Sequence, residues 1–213
     1  MKPYLINVLN KVKDGKISPE EACDLLKDLP YQDLDFVKID HHRELRRGFP
    51  EIIYGQGKTK DQILKISGEI LKMGSNLLIT RVEADVYESL KEEFPDVKYN
   101  EQGRTIYYRK SPPPAGRGKI VVITAGTSDI PVAEEAFITS YMLGNETERI
   151  FDVGVAGIHR LFGEFERIRS ARVIITVAGM EGALPGVIAG ITDKPVIAVP
   201  TSVGYGASFN GIS

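Results

Sequence analysis

The sequence of 213 residues has no tryptophan, a single cysteine and three histidines. One cysteine, Cys23, excludes an internal disulfide framework and any multi-cysteine zinc site. His41 and His42 are adjacent, so their side chains diverge unless the backbone bends, which argues against a metal centre there. A surplus of charge of one sign is also missing. Lys+Arg 27 against Asp+Glu 29 gives a net charge of −2, so no bulk basic field points to nucleic acid. No apolar run reaches the roughly 18 residues that a membrane span needs. The amino terminus, MKPYLINVLNKVKDG, is too polar for a secretory signal core. Hydrophobic content of 42% and charged content of 26% are those of an ordinary soluble protein, so a cytoplasmic location is expected. The length allows one or two domains and a substantial core.

What the chain does have is one pattern repeated from Lys119 to Ser213. A short apolar run ends in a Gly/Ser/Thr-rich loop, and a helical segment follows. Ile120–Ile123, Val173–Val177 and Val196–Val199 are continuous Val/Ile runs, suited to strands of a parallel sheet buried on both faces. Strand alternating with helix predicts an α/β fold, and in such sheets the ligand sits beyond the carboxyl ends of the strands. The loops AGTSD, VGVAGIH, AGMEGALPG and TSVGYGAS all fall at that edge. From Ile174 onward the only charges are Glu181, Asp193 and Lys194, which predicts an end deeply buried or packed on another subunit.

Ahead of this domain, residues 1–32 read as a helical hairpin. Tyr4, Leu5, Val8, Leu9 and Val12 recur at helical spacing, and Ser18-Pro19-Glu20-Glu21 is an N-cap, a first-turn proline and a capping-box glutamate. The second helix should bury Ala22, Leu25, Leu26 and Leu29, with Cys23 packed beside them. Residues 33–110 read as a small α+β domain. Strands are predicted at Phe36–Ile39, Leu77–Thr80, Val97–Asn100 and Thr105–Tyr108, and helices over 60–72 and 83–93. Residues 111–118, SPPPAGRG, form a proline-rich spacer, and 119–213 is the α/β domain.

In the loop Thr124–Asp129, the amides of a helix start suit an anion. Gly126 permits close backbone approach, Thr127 and Ser128 add hydroxyls for a phosphate, and Asp129 can accept from a ribose hydroxyl. An ordinary N-cap is the alternative. Glu181, alone in an apolar loop, should have its proton affinity raised, as suits a general acid or base; a glutamate favoured by the helix dipole is the alternative. His159 and Arg160 offer a donor and a cation to phosphate, or a surface pair. Arg43, Arg46, Arg47 and Lys58 either reach a substrate phosphate or form a solvated or intersubunit face. GQGKT is not a P-loop, since Ile52 stands where the first glycine belongs.

TAGTSD, GVAG and AGMEGALPG, followed by PVIAVP, resemble the aminoimidazole ribonucleotide (AIR) carboxylases of purine synthesis. The likeness is closer to the pyridinium-3,5-biscarboxylic acid mononucleotide synthases (LarB), where it extends through DFVKIDHHRELRRGFPEIIYGQGKT and covers roughly residues 33–213. The purine enzymes carry a histidine before Leu-Pro-Gly, where this chain has Ala183. The resemblance implies a three-layer, flavodoxin-like domain and a homo-octamer dependent on magnesium. It implies carboxylation of nicotinic acid adenine dinucleotide by CO2 with release of AMP. It places Glu181 as acid/base, Asp129 as a second catalytic or orienting group, and Gly126, Thr127 and Ser128 on phosphate. Gly154, Val155, Ala156, Gly157, His159 and Arg160 would hold the nucleotide, with Gly179, Met180 and Gly186 also at the substrate. The family's nucleophile is a cysteine on the helix after the fourth glycine loop. Cys23 lies outside the resembling region, so the chain is expected to be truncated before that residue. A purine-type carboxylase or mutase and a non-catalytic nucleotide-binding module are the rival expectations.

Overall fold

A computed structural model describes residues 2–26, 31–40, 43, 47–179 and 181–202. The chain divides into two compact units, Met1–Tyr99 with Ile106–Pro113, and Asn100–Thr105 with Pro114–Ser213. Among the described residues no helix is long and apolar enough to cross a membrane.

The first unit begins with helices α1 (Lys2–Lys13) and α2 (Pro19–Leu26). The start of α2 is fixed by reciprocal bonds. The Glu21 N–H donates to Ser18 Oγ at 3.1 Å, and the Ser18 N–H to Glu21 Oε2 at 2.7 Å. Val8 and Ala22 are buried between the helices, whereas Leu9 and Leu25 are about half exposed. Cys23 is exposed rather than packed. One residue beyond Ala22 turns a side chain by about 100° around the helix, away from the buried stripe. Leu29 lies outside the described residues.

Strands β1 (Gln32–Asp33) and β2 (Lys38–Ile39) pair antiparallel. The strand expected from Phe36 starts two residues later. Asp35 takes a left-handed φ of 67°, and the Leu34 N–H bonds the Val37 carbonyl at 2.9 Å, so Phe36 sits in a tight turn. Next come β3 (Ile53–Tyr54), α3 (Lys60–Lys72), β4 (Leu77–Thr80), α4 (Ala84–Glu93), β5 (Lys98–Asn100) and β6 (Thr105–Tyr108). They form a sheet of order β3-β4-β6-β5, with β3 parallel and β6 antiparallel to β4. Ile63, Ile66 and Ile70 of α3 meet Leu77, Ile79, Leu90 and Ile106 in one core. Within GQGKT, Thr59 is the N-cap of α3 in a capping box with Gln62.

The second unit is built on a parallel sheet of β7 (Lys119–Thr124), β8 (Glu146–Ile150), β9 (Val173–Ala178) and β10 (Val196–Pro200). The spatial order is β10-β9-β7-β8. Alternate residues of the central strands face opposite layers. Val122 and Val177 pack on Ala133 and Phe137 of α5 (Ile130–Met142). Val121, Ile123 and Ile174 pack on Leu161 of α6 (Ile158–Gly163), Ile168 of α7 (Phe165–Arg169), and Leu184 and Ile188 of α8 (Ala183–Ile191). This is a three-layer, flavodoxin-like α/β fold. One strand, β10, departs from the expected double burial, and β8 is charged. At the edges, β8 carries Glu146, Glu148 and Arg149, and Ile197 of β10 is 51% exposed. An edge strand has a partner on one side only, and charge there opposes pairing with other chains.

Candidate functional site

The order β10-β9-β7-β8 reverses between β7 and β9: the chain leaves β7 for β8 on one side and returns to β9 on the other. Such a reversal opens a crevice, because the loops leaving the two adjacent strands diverge toward opposite faces. A cavity of about 530 Å³ lies there, lined by residues from the loops after β7, β8 and β9.

The first wall leaves β7 at Ala125, whose N–H bonds the Val177 carbonyl of β9 at 3.0 Å. Gly126 is extended, with φ −137°, and Thr127–Asp129 make one 3-10 turn into α5, whose first turn holds Pro131. The amides of such a turn have no intrahelical acceptor and face a bound anion readily. Asp129 is 3% exposed and doubly engaged. Its Oδ2 accepts the Gly126 N–H at 2.9 Å and its Oδ1 the Thr201 hydroxyl at 2.6 Å. Both oxygens therefore fix the loop, a role nearer to the N-cap alternative than to a ribose acceptor.

The second wall leaves β8. Asp152 adopts a left-handed φ of 60°, and its N–H donates to Thr124 Oγ1 at 3.0 Å. Gly154 follows, so close to the first wall that a Cβ would stand 2.7 Å from the Ala125 carbonyl oxygen. A Cβ on Gly126, by contrast, would meet no protein atom nearer than 3.8 Å. A 3-10 turn, Val155–Gly157, leads into α6, where Arg160 is paired with Asp152.

The third wall leaves β9 through Gly179 and Glu181 to Gly182, which takes φ 64° as it closes on the Gly179 carbonyl at 3.0 Å and starts α8. Glu181 lines the cavity and is exposed among the described residues.

The cavity thus gathers Gly126, Thr127, Ser128, Asp129, Gly154, Val155, Ala156, Arg160, Gly179 and Glu181. His159 and Gly186 are exposed and off its lining, and Gly157 is buried beneath the Arg160 guanidinium. His159 precedes Arg160 by one residue, so helical rotation of about 100° separates their side chains. Gly186 is on α8 beyond the loop. Met180, His41, His42, Arg46 and the glycine loop from residue 203 lie outside the described residues. Within the first unit, Arg43 stacks on Phe49 at 5.4 Å, Arg47 is exposed and Lys58 Nζ donates to the Tyr54 carbonyl at 2.9 Å.

Sequence reasoning missed Ala125, Asp152, Ala178 and Leu184 in the lining, and Thr201 behind it. Asp152 carried a signal: aspartate is among the few residues besides glycine that tolerate the left-handed region, and it lies two residues before Gly154. Among the described residues no three His, Cys, Asp or Glu side chains gather to hold a metal.

A flavodoxin-like domain with its crevice at the switch of strand order is the class of protein defined by this geometry. Residues 31–110 match the LarB/PurE-like N-terminal domain and residues 119–212 the AIR carboxylase domain. An uncharacterized protein of Methanocaldococcus jannaschii is 41% identical over 213 residues, 95% of this chain and 82% of its own length. The chain belongs to this LarB family, related to the AIR carboxylases. The N5-carboxyaminoimidazole ribonucleotide mutase of the same organism is 42% identical over 84 residues, 38% of this chain and 51% of the mutase. A probable mutase of that name from Methanothermobacter thermautotrophicus is 31% identical over 94 residues, 41% of this chain and 27% of its own length. These likenesses support a carboxylase- or mutase-like function on a nucleotide.

Proposed function

We propose that the second unit binds nicotinic acid adenine dinucleotide in the crevice and serves carboxylation of its pyridinium ring by CO2, with hydrolysis of the phosphoanhydride to release AMP. The observation that carries this reading is Glu181 beside Ala183. Among the described residues Glu181 is the lining carboxylate without a hydrogen bond or ion pair, for Asp129 is held by Gly126 and Thr201, and Asp152 by Arg160. A methyl group, Ala183, lines the cavity two residues on, where the purine carboxylases carry histidine. The site then offers a base for a ring proton without the neighbouring imidazole.

The chemistry fits that set. A pyridinium ring is electron-poor and does not attack CO2. A nucleophile adds to a ring carbon, the resulting dihydropyridine attacks CO2 and forms the new carbon–carbon bond, and Glu181 takes the proton from that carbon. Departure of the nucleophile with its electron pair restores aromaticity. In the hydrolysis, water attacks phosphorus and the phosphoanhydride P–O bond breaks, with AMP leaving. The LarB resemblance assigns the addition to a cysteine thiolate; binding and ring-proton removal are the steps these described residues carry. The 3-10 turns at Thr127 and Val155 and the Arg160 guanidinium hold phosphates, while Asp129 orients the first of those turns.

The magnesium dependence and octameric assembly rest on the resemblance. The described residues offer no three-donor set for a metal, so no step is routed through one. Exposed Gly186, Ala189 and Gly190 on α8, with exposed Ile197 on β10, provide apolar area for neighbouring copies. The cytoplasm supplies dinucleotide and CO2.

A purine-type mutase is the second reading, favoured by the two relatives of that name over the second unit. Calorimetry with nicotinic acid adenine dinucleotide and with aminoimidazole ribonucleotide separates them, followed by turnover with labelled bicarbonate. Tighter binding of the dinucleotide, with label entering a pyridinium dicarboxylate and AMP appearing, is the expected result. Preference for the imidazole nucleotide would replace this reading with the mutase, and binding of both without turnover would leave a binding module.

A further inference from the structure

A carboxylate beside a phosphate site is a cost, since like charges repel. Asp152 nevertheless lines the crevice, next to the turn that would hold a phosphate. Three features account for its place. Its backbone takes the left-handed φ of 60°, and its N–H is anchored on Thr124 Oγ1 of the neighbouring strand at 3.0 Å. Its Oδ2 accepts from the Arg160 guanidinium. That guanidinium, in turn, lies against Gly157, where a Cβ would stand 2.7 Å from Nε and 3.0 Å from Nη2. Arg160 is therefore held from two sides, by a carboxylate on one and by the absence of a side chain on the other.

We infer that Asp152 is a positioning residue that, with Gly157, fixes the Arg160 guanidinium as the anion fork of the crevice. It acts through Arg160 and does not itself contact the ligand. Arginine carries five donors in a rigid plane, so one can be spent on Asp152 while others remain for a phosphate; an unrestrained arginine would lose rotamer freedom on binding. The inference rests on the reading of the crevice as a phosphate site and goes beyond it by naming what orders the cation.

Simple electrostatics and positioning predict opposite signs, which makes the inference decidable. Removing a negative charge from an anion site should tighten binding if Asp152 only repels, and weaken it if Asp152 orders Arg160. The probe is inorganic pyrophosphate, titrated calorimetrically into the full chain, with nicotinic acid adenine dinucleotide run in parallel. For Asp152→Ala we expect about tenfold weaker pyrophosphate binding, and for Asp152→Asn, which keeps an acceptor, a loss of about threefold or less. Gly157→Ala, at φ −130° unstrained for alanine by backbone alone, should displace the guanidinium and weaken binding by about tenfold with no change of charge. In an Arg160→Lys background the Asp152→Ala loss should largely vanish, because both act on one interaction. Circular dichroism of each variant confirms that it folds.

Equal or tighter pyrophosphate binding by Asp152→Ala overturns the inference. So does an undiminished Asp152→Ala loss in the Arg160→Lys background, or no pyrophosphate binding by the unaltered chain. If pyrophosphate follows the expected pattern and the dinucleotide does not bind, the positioning role stands and the substrate reading falls. If the dinucleotide binds the unaltered chain and the two variants equally well, the reverse holds.

Discussion

The Thr201 hydroxyl donates to Asp129 Oδ1 at 2.6 Å, joining the end of β10 to the loop after β7 across 72 residues of sequence. Both residues are buried, so water cannot replace the bond if it is lost. Thr201→Val keeps the shape and removes the donor. It should cost about 1–3 kcal/mol, the desolvation of an acceptor left unsatisfied. Denaturant unfolding checks this, and an unchanged midpoint would show that the carboxylate finds another donor.

Glycine tolerance should differ between the two facing walls. Gly154→Ala places a methyl 2.7 Å from a backbone oxygen, and a backbone cannot give way as a side-chain tip can. A loss of about 1–3 kcal/mol is expected, typical of overpacking. Gly126→Ala meets only ordinary contacts and an allowed φ, so its unfolding midpoint should stay within about 0.5 kcal/mol of the parent, as for a substitution that disturbs no buried feature.

Glu181→Gln separates chemistry from folding. The side chain is exposed, so stability should hold within about 0.5 kcal/mol. Turnover with labelled bicarbonate should fall by about 10² to 10⁴, the usual contribution of a general base, while dinucleotide affinity changes by a small factor. Turnover that survives the substitution would remove Glu181 from the mechanism.

Acid should weaken the opposite edge of the sheet. Hydrogen bonds from Lys119, and then from Arg167, hold the Glu148 carboxyl below its ordinary value of 4.5. A depressed folded value means that the stabilising contribution is fully present above the unfolded value and is lost as pH falls through the folded one. Glu148→Gln should lower the melting temperature by about 3 °C near neutral pH, modest because the group is partly solvated. The two melting curves should converge below pH 4.5, once the native carboxylate is protonated. A gap that persisted into strong acid would assign the loss to packing instead of charge.

The sequence made the central strands, α3 and the capping box of α2 legible because those features are local: apolar periodicity and cap chemistry act within a few residues. Edge strands were harder. The five residues of β8, ETERI, read as polar because charge suits an edge, and no continuous apolar run marks them as a strand. The loops of the crevice were visible as Gly/Ser clusters, yet their internal roles were not. That Asp129 is tied to Thr201 and that Gly154 lies against the Ala125 carbonyl are contacts between segments far apart in sequence, and the Asp152–Arg160 pair spans a turn. Residue spacing does not encode such pairings.

The ends of β7 and β8 separate two kinds of constraint. Lys119, at the entering end of β7, reaches Glu148 at the middle of β8, which also pairs with Arg167; at the leaving end stand the glycine turns and the crevice. A six-residue strand spans about 20 Å, roughly two Debye lengths at physiological salt, so charge changes at one end are hardly felt at the other. Lineages can therefore retune this sheet for heat, salt or acidity at its entering edge without disturbing the chemistry at its leaving edge, and an engineer can do the same.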